Sequence, residues 1–502
     1  MKFARDIAAG SLGLLIILPL VAWGLVGCAD PTRQVIGKPY LVDSPTPATI
    51  FGEATIGPQA SKEAIANIKV PDLPHKGPLT LDECLELAQK VSPTIDTADQ
   101  GQLGALWSRW QSITDFLPSV DLSYSVTHEG DKAVIPAHAG QKQYAFGTRI
   151  TQPLFTGGAN VTRYLLAQLG VAAADIAKTQ AREDLLLAVK QAFFSILAAE
   201  KALAVAKATV VNITGQLQRT MSLFEEEKAA WYEVLEAQTE LAKAQQAETT
   251  QSRTLLVNKA NLNILLRRPV EFDVKVRDEL KRYKFPLTLD FCLNIGLHDN
   301  PEILLARNQV EAGAKNVDVA RSALYPQVQL TYSSNSVGDT GKASGGWSAN
   351  SSSWDIAAVA SFNIWEWGKT KAGVEISKVA LNQAINSLTS LEDSVKLEIA
   401  TNYQNLISAG LNIDVSVKAV ESAAENLRMV NERFQTGMSP ITDVLDSQAR
   451  YSEAQYEHYQ SLYNYNLAWA AIERSLGRRV PAQGLPDQPL RPGQPLSPVS
   501  LN

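Results

Sequence analysis

Residues 185–217 read LLLAVKQAFFSILAAEKALAVAKATVVNITGQL. Leu185, Val189, Ala192, Ile196, Ala199, Leu203, Ala206, Val210, Ile213 and Leu217 alternate steps of four and three, the seam of helices that pack as coiled coils. The run lies inside residues 154–268, which hold no proline in 115 positions, where about five would be expected at this chain's proline content. A helix from about 159 to 223 is predicted, roughly 100 Å long. A turn and a shorter return helix, about 231–266, follow.

The pattern occurs twice. Residues 327–439 are again free of proline, and Val395, Ile399, Leu406, Ala409, Ile413, Val420, Ala423 and Leu427 continue the seam, interrupted at Asn402 and Ser416. A second return helix is predicted at about 440–476. Upstream, Pro78-Leu79-Thr80-Leu81-Asp82 returns as Pro286-Leu287-Thr288-Leu289-Asp290, an offset of 208. Ser92-Pro93 and Asn300-Pro301, Pro118 and Pro326, and Tyr124 and Tyr332 keep that offset. From Gly158 and Gly368 onward the offset is 210, as for Phe224 and Phe434. The mature chain is therefore a duplication. One repeat covers 78–268 and the other 286–478, joined by a linker at 269–285. The slip falls in 129–142 and 338–353, which are predicted loops because insertions collect there. Cys84 and Cys292 also obey the repeat and are expected to be two small buried side chains; no spacing pairs them as a disulfide.

Each repeat opens with helical pattern, Leu79–Ala88 and Pro93–Phe116 in the first. Thr80 with Glu83 forms a capping box, and Ser92-Pro93 reads as a cap with proline at the first helical position. Strict alternation follows. Val120, Leu122, Tyr124 and Val126 interleave with polar residues, then Tyr144, Phe146, Ile150 and Leu154 do so. The second repeat has Val328, Leu330 and Tyr332, then Trp354, Ile356, Phe362 and Ile364. Period two with one apolar face predicts half-buried strands.

The flanks differ. Residues 1–28 have a basic start at Lys2 and Arg5, an apolar run and small residues at the end, the three regions of a secretory signal, 1–27. Leu25-Val26-Gly27-Cys28 resembles a bacterial lipobox, which makes Cys28 the lipidated mature N-terminus; the other reading is a retained membrane anchor. Ala29 after the cysteine is compatible with the outer membrane. Residues 28–77 are a proline-rich extended lead, and 479–502 a proline-rich tail. Past residue 28 no apolar stretch is long enough for a membrane helix.

Composition excludes much else. Charged residues make up 20% and the net charge is −6, so no basic surplus points to nucleic acid. Three cysteines and five scattered histidines give neither a disulfide framework nor clustered metal ligands. Gly368-Lys369-Thr370 looks like the end of a phosphate loop, but the earlier glycine of that motif is missing. Neither a catalytic constellation nor a cofactor site is expected.

Four two-faced strands in an exported chain fit an outer-membrane barrel, with Tyr124, Tyr144, Trp354, Phe362, Trp365 and Trp367 suited to interfacial girdles. A soluble β-sandwich capping a helical stalk is the alternative. Four strands cannot close a barrel, and eight leave an interior filled by side chains, whereas three chains give twelve strands and a lumen. The expected fold class is mainly α with a β-barrel part: long coiled-coil helices forming an α-barrel, plus four transmembrane strands per chain in a trimeric twelve-stranded barrel.

In these features the chain resembles the TolC/OprM family of outer-membrane efflux channels, over about residues 78–478. The resemblance rests on the repeated Pro-Leu-Thr-Leu start, the Ser/Asn-Pro step, the strand after a proline, and Phe434-Gln435-Thr436-Gly437-Met438-Ser439-Pro440-Ile441-Thr442-Asp443-Val444-Leu445-Asp446. Locally, Gly437 is predicted to end the long helix in a left-handed cap, with Ser439 capping the next helix and Pro440 at its first position. Asp443 and Asp446 lie one turn apart; acids there also complement a helix N-terminus. The resemblance implies a homotrimeric passive conduit, a periplasmic adaptor, an inner-membrane transporter engaged indirectly, and a lipid-anchored location in the outer membrane with a periplasmic helical tunnel. It also implies that Asp443 and Asp446 line the periplasmic gate and that the helix-turn tip, Gly437, Ser439 and Pro440, meets the adaptor.

The first-repeat counterpart, Phe224-Glu225-Glu226-Glu227-Lys228-Ala229-Ala230-Trp231, departs from the pattern. Glu227 replaces the glycine, and Ala229-Ala230 replace Ser-Pro. Glu233 and Glu236 keep acids at the gate-like positions. A Tyr–Arg latch is absent, since Phe434 and Ser439 occupy those places. Two rivals share much of this reading: the outer-membrane duct of a type I protein secretion system, and a structural lipidated coiled-coil spacer, which has no need of strands.

Overall fold

The two halves of the chain build the same elements in the same order, as the repeated sequence predicts. The computed structural model describes residues 77–128, 142–277, 280–338, 343 and 352–480, all within one unit that spans Val70–Asn502. The first repeat runs α1 (Leu81–Val91), α2 (Pro93–Thr114), β1 (Ser119–His128), β2 (Lys142–Thr156), α3 (Ala159–Glu225) and α4 (Trp231–Leu265). The second runs α5 (Leu289–Asp299), α6 (Pro301–Ser322), β3 (Gln327–Gly338), β4 (Ser352–Ser361), α7 (Lys369–Gln435) and α8 (Ile441–Leu476). Helices α3 and α7 are each 67 residues long, about 100 Å at 1.5 Å per residue. The signal, Cys28, the lead to residue 76, most of the two slip-bearing segments and the tail beyond Val480 lie outside the described residues.

Local chemistry sets the boundaries. Thr80 and Glu83 form the expected capping box, with Thr80 N–H donating to Glu83 Oε2 at 2.8 Å and Glu83 N–H to Thr80 Oγ1 at 3.4 Å. Ser92 begins α2 without a side-chain cap bond, whereas Asn300 caps α6 by accepting from the N–H groups of Glu302 and Ile303. The long helices both start after a left-handed glycine, Gly158 and Gly368. A Cβ at Gly157 would collide with the Ser322 carbonyl oxygen. Its counterpart, Trp367, is also left-handed, at φ 53° against 62° for Gly157, and its side chain is exposed.

The strands form one antiparallel sheet in the order β1-β2-β3-β4. Register aligns Val120, Ile150, Tyr332 and Ile356 in one row and Tyr124 with Phe146 in another. All the predicted apolar positions on β1 and β3, and those from Tyr144 to Ile150 on β2, thus share a face. Serine, threonine, glutamine and asparagine dominate the opposite face. The alternation predicts a fourth strand through Ile364, but pairing ends at Ser361; Phe362, Ile364 and Trp365 lead exposed into α7.

Two cores repeat the duplication. Cys84, Leu85, Val189, Phe193, Ile196 and Leu262 pack in the first, and Cys292, Ile295, Val395, Ile399, Leu406 and Ile472 in the second. Cys84 and Cys292 are free thiols in these separate cores. Burial pushes the Cys84 thiol up to about 12 and Cys292 up to about 11, which makes both unreactive. Ser416, which interrupts the seam, is satisfied by the Ile413 carbonyl and by His458 Nδ1 at 3.0 Å.

Polar bonds join the repeats. Lys190 of α3 pairs with Glu473 of α8, their side chains 8% and 7% exposed. Glu473 also accepts from Trp469 Nε1 at 3.3 Å and from the Val480 N–H at 2.8 Å. Beside it, Arg474 bonds to Asp184, Glu302 and Glu398. The linker is held at both ends. Leu79 N–H donates to Lys275 O at 2.8 Å and Arg277 N–H to Leu79 O at 2.9 Å. Tyr465 donates to the Tyr283 carbonyl, and Phe285 meets the Trp469 ring edge-on at 5.0 Å.

Candidate functional site

The α3–α4 and α7–α8 turns share one backbone solution. In the second, Gly437 takes φ 73°, its N–H donates to Phe434 O, and Met438 N–H reaches back to Arg433 O at 2.9 Å. In the first, Glu227 takes φ 57°, its N–H donates to Phe224 O, and Lys228 N–H reaches Leu223 O at 2.8 Å. Both turns end their helix with a left-handed residue and a six-to-one bond. The helix after the second turn starts one residue later than expected: Pro440 is the N-cap, Ile441 the first helical residue, and Ser439 makes no cap bond.

The same backbone carries opposite packing. In the second turn Phe434 and Ile441 are buried with Val444 and Leu445, sharing a core with Ile213, Ala237 and Ala244. At the matching positions of the first turn, Phe224 and Trp231 are exposed, their rings 5.2 Å apart. Around them stand Glu225, Glu226 and Glu227, with Lys228 bound to Glu226 at 2.7 Å. The first tip is therefore acidic and aromatic, and the second neutral with an exposed Met438.

Asp443 and Asp446 are both exposed, one helical turn apart, on the opposite side of α8 from buried Val444 and Leu445. Glu233 and Glu236 occupy the matching places on α4 and are half-buried beside Val234 and Ala237. Behind these acids lie polar ties that the sequence pattern does not reveal. Gln216 donates to Asn431 Oδ1 at 2.9 Å, Asn212 to Gln448 Oε1 at 3.3 Å, and Thr209 meets Ser452 at 2.8 Å. They fasten α3 of the first repeat to α7 and α8 of the second. Polar residues beside an apolar seam were their only signal.

At the other end of the long helices, every helix–sheet junction exposes large apolar side chains: Phe116 and Leu117, Leu154 and Phe155, Leu324 and Tyr325, and Ile364, Trp365 and Trp367. Val120, Leu122, Tyr124, Val126, Trp354 and Ile356 on the sheet are exposed too. Among the described residues, helices cover neither face of the sheet, and β1 and β4 each keep an unpaired edge. A monomeric soluble domain does not display apolar surface on this scale. Among the described residues no group of His, Cys, Asp or Glu is placed to hold a metal ion, and no helix is long and apolar enough to cross a membrane.

The family model for outer membrane efflux proteins matches residues 85–266 and 293–478, and the chain belongs to that family. Its architecture is that of the family's channel structures: the Campylobacter jejuni CmeC outer membrane channel superposes with a TM-score of 0.70 at 16% identity, covering 79% of this chain and 85% of that one. CusC gives 0.69 at 16% identity, covering 80% and 92%. Among sequence relatives, the solvent efflux pump outer membrane protein SrpC of Pseudomonas putida is 23% identical over 233 residues, 44% of this chain and 48% of that protein. Outer membrane protein OprJ of Pseudomonas aeruginosa is 23% identical over 289 residues, 55% of this chain and 57% of that protein. The chain thus matches about half the length of these relatives.

Proposed function

We propose that the chain is the outer-membrane channel of a tripartite efflux system, a passive trimeric conduit between a periplasmic adaptor with its inner-membrane pump and the outside. The observation that carries this is the uncovered sheet. One face gathers the large apolar side chains, the other is mainly polar, and both edges are open among the described residues, which suits a wall between lipid and a water-filled lumen. Copies of the chain close the edges, and three copies supply twelve strands. Apolar stripes left open on the helices, Leu397, Leu411 and Val415 on α7 and Val257 and Ile264 on α4, are further surface for copies to cover. The aromatic junctions sit at the periplasmic lipid boundary.

In this reading Cys28 carries the lipid anchor in the outer membrane, and 1–27 is removed. Asp443 and Asp446, with Glu233 and Glu236, ring the periplasmic mouth and favour cations there. The tips at Glu227 and at Gly437, Ser439 and Pro440 meet the adaptor. Specificity for the cargo belongs to the pump rather than to the tube. The test is single-channel recording of the purified mature protein in planar bilayers, with chemical crosslinking of the same sample to count chains. A conducting trimer is the expected result. A stable monomer or dimer in mild detergent, or a folded trimer silent even after its mouth acids are removed, counts against the conduit.

A further inference from the structure

The sheet's polar face carries three charged residues among those described, and the register places all three in one row. Asp121 is paired with Arg149, Arg149 with Ser333, and Ser333 with Asp355. The Ser333 hydroxyl donates to Asp355 Oδ1 at 2.6 Å, so this carboxylate is fixed in the row. Along β1 the other positions of that face are Ser119, Ser123, Ser125 and Thr127; along β4 they are Ser353, Ala357, Val359 and Ser361. On β2 and β3 they are likewise uncharged. Alternation alone brings polar residues to this face; it does not gather the charges at one height.

We infer that Asp121, Arg149 and Asp355 form a single charged belt on the polar face of the sheet and set the ion preference of the strand-built part of the conduit. The inference rests on reading that face as the lumen wall. Each chain contributes two carboxylates and one guanidinium, a net negative row repeated in every copy around the barrel. On an open surface such charges are screened within about 10 Å at 0.1 M salt. Inside a lumen with low-dielectric walls the field is focused and permeating ions pass within that range. The belt thus favours cations at a second level, separate from the acids of the helical mouth. A purely structural role, in which Arg149 pairs with Asp121 across the strands, leaves ion preference untouched.

The test is the reversal potential of the purified protein in planar bilayers under a KCl gradient. Wild type is compared with Asp121→Asn plus Asp355→Asn, with Arg149→Gln, and with the same changes added to Asp443→Ala plus Asp446→Ala. The double asparagine variant should lower the potassium-to-chloride permeability ratio by about twofold or more, the scale of removing unit charges roughly 10 Å from an ion in water. Arg149→Gln should raise it, and both shifts should survive in the aspartate-free mouth. If the asparagine variant does not assemble, the opposite shift in Arg149→Gln still decides. Conducting variants that all keep the wild-type ratio overturn the belt and leave the conduit standing. A folded trimer that stays silent even in the Asp443→Ala plus Asp446→Ala background removes the reading on which the belt rests.

Discussion

Glu227 is where the two repeats differ most sharply at equal geometry. It holds the left-handed φ that Gly437 holds in the second repeat, a conformation that costs a residue with a Cβ roughly 1 kcal/mol or more. Glu227→Gly is therefore expected to stabilise the first tip by about 1 kcal/mol, seen as slower hydrogen exchange at the Lys228 and Ala229 amides, which bond back to Leu223. Faster or unchanged exchange would mean that the turn is held by something other than backbone preference. The departure from the family pattern at this position was readable as a letter. That it keeps the glycine's conformation was not, because a left-handed glutamate has no sequence signature.

At the scale of elements, the seam that begins at Leu185 is buried where the alternating four-three spacing puts it, at Val189, Ala192, Ile196 and Ala199. The capping box and the glycine starts of α3 and α7 were equally legible, because each is a local rule acting within one turn. Contacts between repeats were not. Lys190 is the one charged residue in the buried middle of that seam, and nothing near it in the chain names Glu473, 283 positions away, as its partner. Removing one member of a buried pair strands the other, at about 3–5 kcal/mol. Lys190→Met should lower the denaturation midpoint accordingly, and adding Glu473→Leu should recover part of the loss. Equal midpoints for wild type and Lys190→Met would show that the pair holds nothing. The fourth strand's end was misjudged for a related reason: Phe362 and Ile364 keep the alternation but have no strand to pair with.

For the whole molecule, duplication was the most legible property, since matched lengths of 11, 22 and 67 residues recur in both halves. Asp443 and Asp446 could be placed on one face from the sequence, and both are exposed, while Glu233 and Glu236 at the matching places are half-buried. If they govern the mouth, Asp443→Ala plus Asp446→Ala raises single-channel conductance or weakens block by added cations; identical conductance and block would reject a carboxylate ring. The sheet carries a different consequence, one of timing. Tyr144 of β2 pairs with Gly338 of β3, 194 residues further along the chain. Both helices of the first repeat's long hairpin are made between those two partners. Closing so large a loop is entropically slow, while each helical hairpin needs only neighbours close in sequence. The first repeat's long helical hairpin is therefore complete before β3 and β4 are made. Until β3 and β4 arrive, β1 and β2 pair with each other and leave the inner edge of β2 and an apolar face without their described partners. If the sheet is the membrane wall proposed above, the lipid surface that accepts the strands is part of how the chain folds.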